Sequence, residues 1–276
     1  MTLKRRLLRM YHYPANIVSW AMFATVGLSL NFVSALLLLS RNPSRHGPAV
    51  RSAMRKLFAA WCAWLHATRL IYVRFHGFTP DALSGPAVYI ANHPGLLDAT
   101  FILARLPDAI CIFKPAIMRN PVLGPAARMA GYVAGDSGVD LIRDVASRVS
   151  AGNSLLIFPE GTRTVPGRTL NRLKPGFALI ASRARVPVRV IIVRSPPDLV
   201  PKGWSWWRAP QFPSYVDITL LSELEPQPGE SAVHLTERAT KEIASALAGV
   251  RSSAAVDDQD ETIFPRASGL SASTRS

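Results

Sequence analysis

The sequence predicts an α/β protein, a mostly parallel sheet flanked by helices, with an N-terminal membrane-associated helical segment ahead of it. Three observations carry that expectation. Short apolar runs alternate with helical patterns from residue 87 onward, the 26 residues from Ala15 to Ser40 contain no charge, and basic residues crowd around that stretch. Hydrophobic residues make up 49% and charged residues 18% of the 276, with a mean hydropathy of +0.16. That composition is too apolar for a disordered or freely soluble basic chain, and it predicts contact with lipid.

The uncharged stretch exceeds the ~20 residues that cross a bilayer and the usual h-region of a cleaved signal, so it reads as a retained membrane helix, with half-insertion at the interface as the alternative. Residues 1 to 74 hold eleven Lys and Arg and no Asp or Glu. The net charge of +14 is therefore concentrated around the apolar helix, where it attracts anionic head groups, and nucleic acid is not expected as a partner. Basic residues before and after the helix nearly balance, which leaves its orientation open. Leu57 to Val73, with Trp61, Trp64, His66 and Arg69 among apolar residues, reads as an interfacial helix or an ordinary buried one.

Expected strands are 87–91, 109–113, 154–158, 188–193 and 215–221, and expected helices are 97–105, 121–130, 139–149, 176–185 and 231–248. This organises the chain into a membrane anchor and interfacial helix (1–76), a catalytic domain (77–251) and a disordered tail (252–276). Cys62 and Cys111 sit in apolar runs without CxxC spacing, which supports neither a disulfide nor a zinc site and fits a reducing compartment.

Two segments carry chemistry. In Asn92-His93-Pro94-Gly95-Leu96-Leu97-Asp98 the histidine follows a strand and the aspartate opens a helix, at the sheet edge where α/β folds bind ligands. A carboxylate on Nδ1 fixes the tautomer and leaves Nε2 as a general base. Taken alone, the pair is weak evidence and is better read as a loop histidine beside a helix start. In Phe158-Pro159-Glu160-Gly161-Thr162-Arg163 the proline ends the strand, and the threonine and arginine offer donors suited to phosphate. Taken alone, Glu160 and Arg163 also fit a surface ion pair. Gly135-Asp136-Ser137-Gly138 mimics a serine-protease nucleophile segment, but it links two helices where that fold is all-β. His93, Asp98 and Glu160 lack the spacing of a metal-ligand set, and no metal is expected. Trp204, Trp206 and Trp207 beside Lys202 and Arg208 suit an interfacial anchor or a packed loop.

Together the two blocks resemble the glycerolipid acyltransferase family, of the 1-acylglycerol-3-phosphate type. The family pattern is Asn-His, four residues, Asp, and then Phe-Pro-Glu-Gly-Thr-Arg about 60 residues on; here 67 residues separate His93 from Glu160. Lys114 with Asn120-Pro121-Val122-Leu123-Gly124, and Lys174-Pro175-Gly176 with Val186-Pro187-Val188, match its other blocks over roughly residues 70 to 225. The resemblance implies an acyl chain passed from acyl-CoA or acyl carrier protein to a lysophospholipid hydroxyl, as in 1-acylglycerol 3-phosphate. It makes His93 the base and Asp98 its partner, with Lys114, Glu160, Gly161, Thr162, Arg163 and Lys174 at the substrate and no resident cofactor. It also implies a bacterial inner membrane with the catalytic domain cytoplasmic. Two departures open an alternative. Ser137 stands where phosphate-using members commonly carry Arg, and Gly95 replaces a small polar residue. A non-phosphate acceptor, such as a lyso-aminolipid or a specialised fatty-acyl or polyketide product, is the other expectation.

Overall fold

The computed structural model describes residues 3–121, 124–135, 138–203 and 210–249. Asp136, Ser137, Trp204, Trp206, Trp207, Arg208 and the expected tail from 252 lie outside them. The strands are β1 (Ile71–His76), β2 (Val88–Ala91), β3 (Ala109–Phe113), β4 (Val133–Ala134), β5 (Ser154–Ile157), β6 (Val188–Arg194) and β7 (Ser214–Leu224). The helices are α1 (Leu3–Leu38), α2 (Gly47–Ala67), α3 (Asp98–Leu103), α4 (Pro115–Arg119), α5 (Gly124–Met129), α6 (Gly138–Ser150), α7 (Gly176–Ala184) and α8 (Ala232–Gly249).

The strands form one sheet in the order β1-β7-β6-β2-β5-β3-β4. The pairs from β6 through β2, β5 and β3 to β4 are parallel, β6 meets β7 antiparallel, and β1 is parallel to β7. The sheet is mostly parallel, as expected, and the β6–β7 pair makes it mixed. All four residues of β2 are buried, as a strand covered on both faces requires. Helices α6, α7 and α8 pack together, with α7 on β2 and α8 on β6, while α1, α2, α3 and α5 form a second packed group. The antiparallel step matters for the site. It brings the start of β7, where Asp217 registers with Arg194, to the edge at which β2, β5 and β3 end.

Strand β1 corrects the sequence reading, which ran a helix through Val73 and began the catalytic domain at residue 77. Ile71, Val73 and Phe75 are buried while Arg74 and His76 are exposed, a period of two. Helix α2 stops because Arg69 turns to φ 55, its N–H reaching the His66 carbonyl and the Leu70 N–H the Leu65 carbonyl. Glycine usually marks that left-handed stop, and its absence hid the boundary. The short α4 and β4 also lacked a readable signal.

Helix α1 is long and apolar enough to cross a membrane by length and composition, with mean hydropathy 1.9 over Met10–Leu38. It lies along the domain. The Tyr11 hydroxyl donates to the Thr68 carbonyl, the Trp61 indole donates to Ser19 Oγ, and the Ala126 N–H donates to Asn31 Oδ1. At 1.5 Å per residue those three anchors, at residues 11, 19 and 31, spread over about 30 Å of helix. The opposite face exposes Ile17, Val18, Leu28, Phe32, Val33 and Leu36.

Candidate active site

Strand β2 delivers Asn92 and His93 to the sheet edge. The Asn92 side chain donates to the Val193 carbonyl at 2.8 Å and accepts the Val193 N–H at 2.7 Å, pinning the end of β2 to β6. Pro94 and Gly95 then turn the chain into α3, whose first residue is Asp98. His93 Nδ1 lies 2.9 Å from Asp98 Oδ2, which also accepts the Gly95 N–H at 2.8 Å. An ionised carboxylate only accepts, so Nδ1 carries the ring proton and Nε2 is left with its lone pair. The His93 side chain is 18% exposed and that of Asp98 1%, so the base reaches solvent and its partner does not. Burial pushes the Asp98 carboxyl above its usual range, while the His93 and Gly95 hydrogen bonds pull the other way.

Position 95 is tight. A Cβ there would meet Asp98 Oδ1 and the Leu199 carbonyl, both at 3.1 Å. The small polar residue of the family pattern therefore needs a neighbour to give by a few tenths of an ångström.

Strand β5 brings the second block to the same edge. The Phe158 ring stacks on His93 at 4.1 Å between centroids and 24° between planes, so the imidazole is held by a face as well as by Nδ1. Glu160, expected at the substrate, is turned toward protein donors. Its buried carboxylate accepts the His93 N–H at 2.8 Å, the Asn171 N–H at 2.9 Å and the Thr164 hydroxyl at 2.9 and 3.0 Å from its two oxygens. The sequence reading missed Thr164 and Asn171, because neither lies in a spaced motif. Gly161 sits at φ +68, where the Lys174 stem crosses it with Nζ 3.0 Å from the position of a Cβ. Lys174 and Gly161 are exposed and Thr162 is half-buried. Arg163, expected on phosphate, gives one terminal nitrogen to the Val200 and Pro201 carbonyls at 3.1 and 2.9 Å.

Lys114 is exposed at the end of β3. That strand is two places from β2, an offset of about 10 Å at ~4.8 Å per strand. Phe113 and Ile117, on either side of Lys114, line an apolar cavity of about 550 Å³ between α1 and α2, with Phe23, Leu30, Phe58 and Trp61 among its walls. Trp61 in turn stacks on Phe101 of α3, the helix that opens with Asp98.

Fold and site together define a mixed α/β domain with a carboxylate-oriented histidine at its strand ends and an apolar cavity between its N-terminal helices. Residues 72–194, from β1 to the end of β6, match the family model described as Acyltransferase. The chain is 35% identical over 123 residues to a chloroplastic 1-acyl-sn-glycerol-3-phosphate acyltransferase of Brassica napus, a match covering 43% of this chain and 36% of that one. It is 29% identical over 204 residues to the lyso-ornithine lipid O-acyltransferase of Pseudomonas aeruginosa, covering 72% and 73%. The matches to the plant acyltransferases span between 35% and 51% of those relatives' own lengths. In fold the chain is similar to the crystal structure of the 1-acyl-sn-glycerophosphate acyltransferase PlsC from Thermotoga maritima. The TM-score is 0.69 at 18% identity, over 90% of this chain and 99% of that one.

Proposed function

We propose that this protein transfers an acyl chain from a thioester, acyl-CoA or acyl carrier protein, to the hydroxyl of a lysolipid at a membrane surface, with His93 as general base. The observation that carries this reading is the His93–Asp98 pair at 2.9 Å at the ends of the parallel strands, in a fold whose apolar cavity between α1 and α2 has Trp61, stacked on Phe101 of α3, in its wall. Nε2 takes the proton of the acceptor hydroxyl as its oxygen attacks the thioester carbonyl. The tetrahedral oxyanion draws on backbone N–H groups near Gly161, with Lys114 as an exposed cation at the same edge. Collapse breaks the C–S bond and the imidazolium returns its proton to the leaving thiolate, so ester and free thiol are the products and the base is restored. The cavity between α1 and α2 holds the donor's acyl chain.

The membrane part of the reading rests on α1. Anchored to the domain through Tyr11, Ser19 and Asn31, it presents its apolar outer face in the manner of a helix seated in the interface. The free, buried Cys62 and Cys111 and the Pseudomonas relative fit a bacterial inner membrane with the domain on the cytoplasmic side.

The acceptor we propose is 1-acylglycerol 3-phosphate, the substrate in the names of the plant relatives. A second reading, a lyso-aminolipid without phosphate, is favoured by the extent of the Pseudomonas match and by the commitment of Arg163 to two backbone carbonyls. Thiol release from acyl-CoA and from acyl carrier protein, measured with each acceptor on vesicles, tests both. Release should require a lysolipid and be faster with 1-acylglycerol 3-phosphate. A preference for lyso-ornithine lipid selects the second reading, and equal release without any acceptor overturns acyl transfer.

A further inference from the structure

We infer that Thr164 and Asn171, which lie outside every motif block, are positioning residues for His93 and act through Glu160; the inference rests on His93 being the base of the proposed transfer. Glu160 receives three donors and presents none: the His93 N–H, the Thr164 hydroxyl and the Asn171 N–H. Only an acceptor with several lone pairs matches that set, and a carboxylate is such a group. Thr164 grips His93 twice. Its N–H donates to the His93 carbonyl at 2.7 Å, and its hydroxyl bridges both oxygens of the carboxylate that holds the His93 N–H. Both polar atoms of the His93 backbone are thus bonded to the loop that follows β5.

Asn171 closes the network from the far side of that loop. Its N–H occupies Glu160 Oε2 at 2.9 Å. Its side chain donates to the Arg163 carbonyl and accepts the Val165 N–H, each at 3.3 Å, so it holds the chain immediately before and after Thr164. Asp98 and Phe158 fix the imidazole relative to α3 and β5, whereas this network fixes the backbone from which the ring projects. A shift of about 1 Å in a reacting group costs on the order of a hundredfold in rate, so loosening that backbone acts on turnover. None of the three side chains needs to touch substrate, which makes them positioning rather than catalytic residues.

The test uses the full-length protein on vesicles, with kcat, both KM values and Tm measured for Thr164→Val, Thr164→Ser and Asn171→Ala. Valine keeps the backbone N–H and the shape but loses the hydroxyl. Thr164→Val should lower kcat about ten- to hundredfold with both KM values within about twofold. Thr164→Ser should recover kcat to within about threefold of the parent, because it restores the hydroxyl, a rescue that loss of packing does not produce. Asn171→Ala should lower kcat in the same direction. Unchanged kcat in Thr164→Val, a change confined to KM, or a serine variant as slow as the valine one overturns the inference. If Thr164→Val does not fold, Asn171→Ala decides, and full turnover there overturns it equally. His93→Ala in parallel separates the two levels: an active His93→Ala overturns the base itself, while a dead His93→Ala beside a full-speed Thr164→Val overturns the positioning role alone.

Discussion

At His93 three constraints meet on one residue: Asp98 on Nδ1, the Phe158 ring on one face and the Glu160 carboxylate on the backbone N–H. Asp98 is the costly member, because burial raises its pKa and its ionised form is held in the folded protein against that burial. The sign follows from linkage. A carboxyl with a raised folded-state pKa binds more protons folded than unfolded, so the protein loses stability as pH rises from the ordinary carboxyl range through the raised value. Asp98→Asn removes that loss. Its Tm relative to the parent should therefore climb as pH rises out of the ordinary carboxyl range, while acyl transfer falls about 10²- to 10⁴-fold because the imidazole loses its charged partner. Thermal melts across that rise in pH, with activity at neutral pH, check both halves, and a Tm difference that does not change with pH overturns the burial argument. The His–Asp pair was legible in sequence because its five-residue spacing survives in one local turn. The Glu160 partners were not, since Thr164 and Asn171 act across a loop with no repeating pattern.

The elements divide between those read from periodicity and those set by neighbours. Strands β3 and β6 and helices α6, α7 and α8 stand within a residue or two of expectation, because each carries an apolar run or amphipathic period of its own. Strand β1 was hidden by an α2 terminus without glycine, and β4 is two residues long and exists only by pairing with β3. Helix α8 supplies a test of element stability at the edge opposite the site. Ahead of it, Glu230 accepts the Gln227 N–H at 3.0 Å, His234 Nδ1 at 2.7 Å and Arg238 at 2.9 and 3.0 Å. The Gln227 N–H, with Arg238 and His234, holds its pKa down to about 2 from an ordinary 4.5, against the burial that opposes them. A depressed carboxyl stabilises the fold above its unfolded pKa and loses that contribution as pH falls through the folded one. Glu230→Gln should therefore lower Tm at pH 7, and the gap to the parent should close between pH 4.5 and pH 2. Turnover should be unaltered, since β7 runs away from the catalytic edge before α8 begins.

Across the whole molecule, α1 joins the sheet edge to the surface on which a lipid substrate arrives. Deleting it strips the partners from Trp61 and the Ala126 N–H and opens the apolar cavity, so substitution on its outer face is the cleaner probe of attachment. Phe32 and Leu36 are 67% and 54% exposed and one turn apart. Each such side chain contributes about 1.5–3 kcal/mol when buried in an apolar medium, so Phe32→Glu with Leu36→Glu should weaken vesicle binding at least about a hundredfold. Tm in detergent should stay within about 2 °C, because neither side chain is packed on the domain. Sedimentation with anionic vesicles measures the first and a melt the second; undiminished binding by the double variant places the attachment elsewhere.

By itself the sequence determined what depends on local order: the alternation that makes an α/β sheet, the length and charge flanks of the apolar helix, the His93–Asp98 turn and the motif blocks shared with a family. Those follow from hydrophobic period, chain reach and backbone preference, which are properties of neighbours in the chain. Only the tertiary structure decided that β1 and β7 run against the other strands, that α1 lies along the domain, and that Glu160 and Arg163 face backbone groups. A buried carboxylate or a half-buried guanidinium takes whatever hydrogen-bond partners the fold leaves near it, and partners such as those at residues 171, 200 and 201 come from segments that no sequence spacing relates to it.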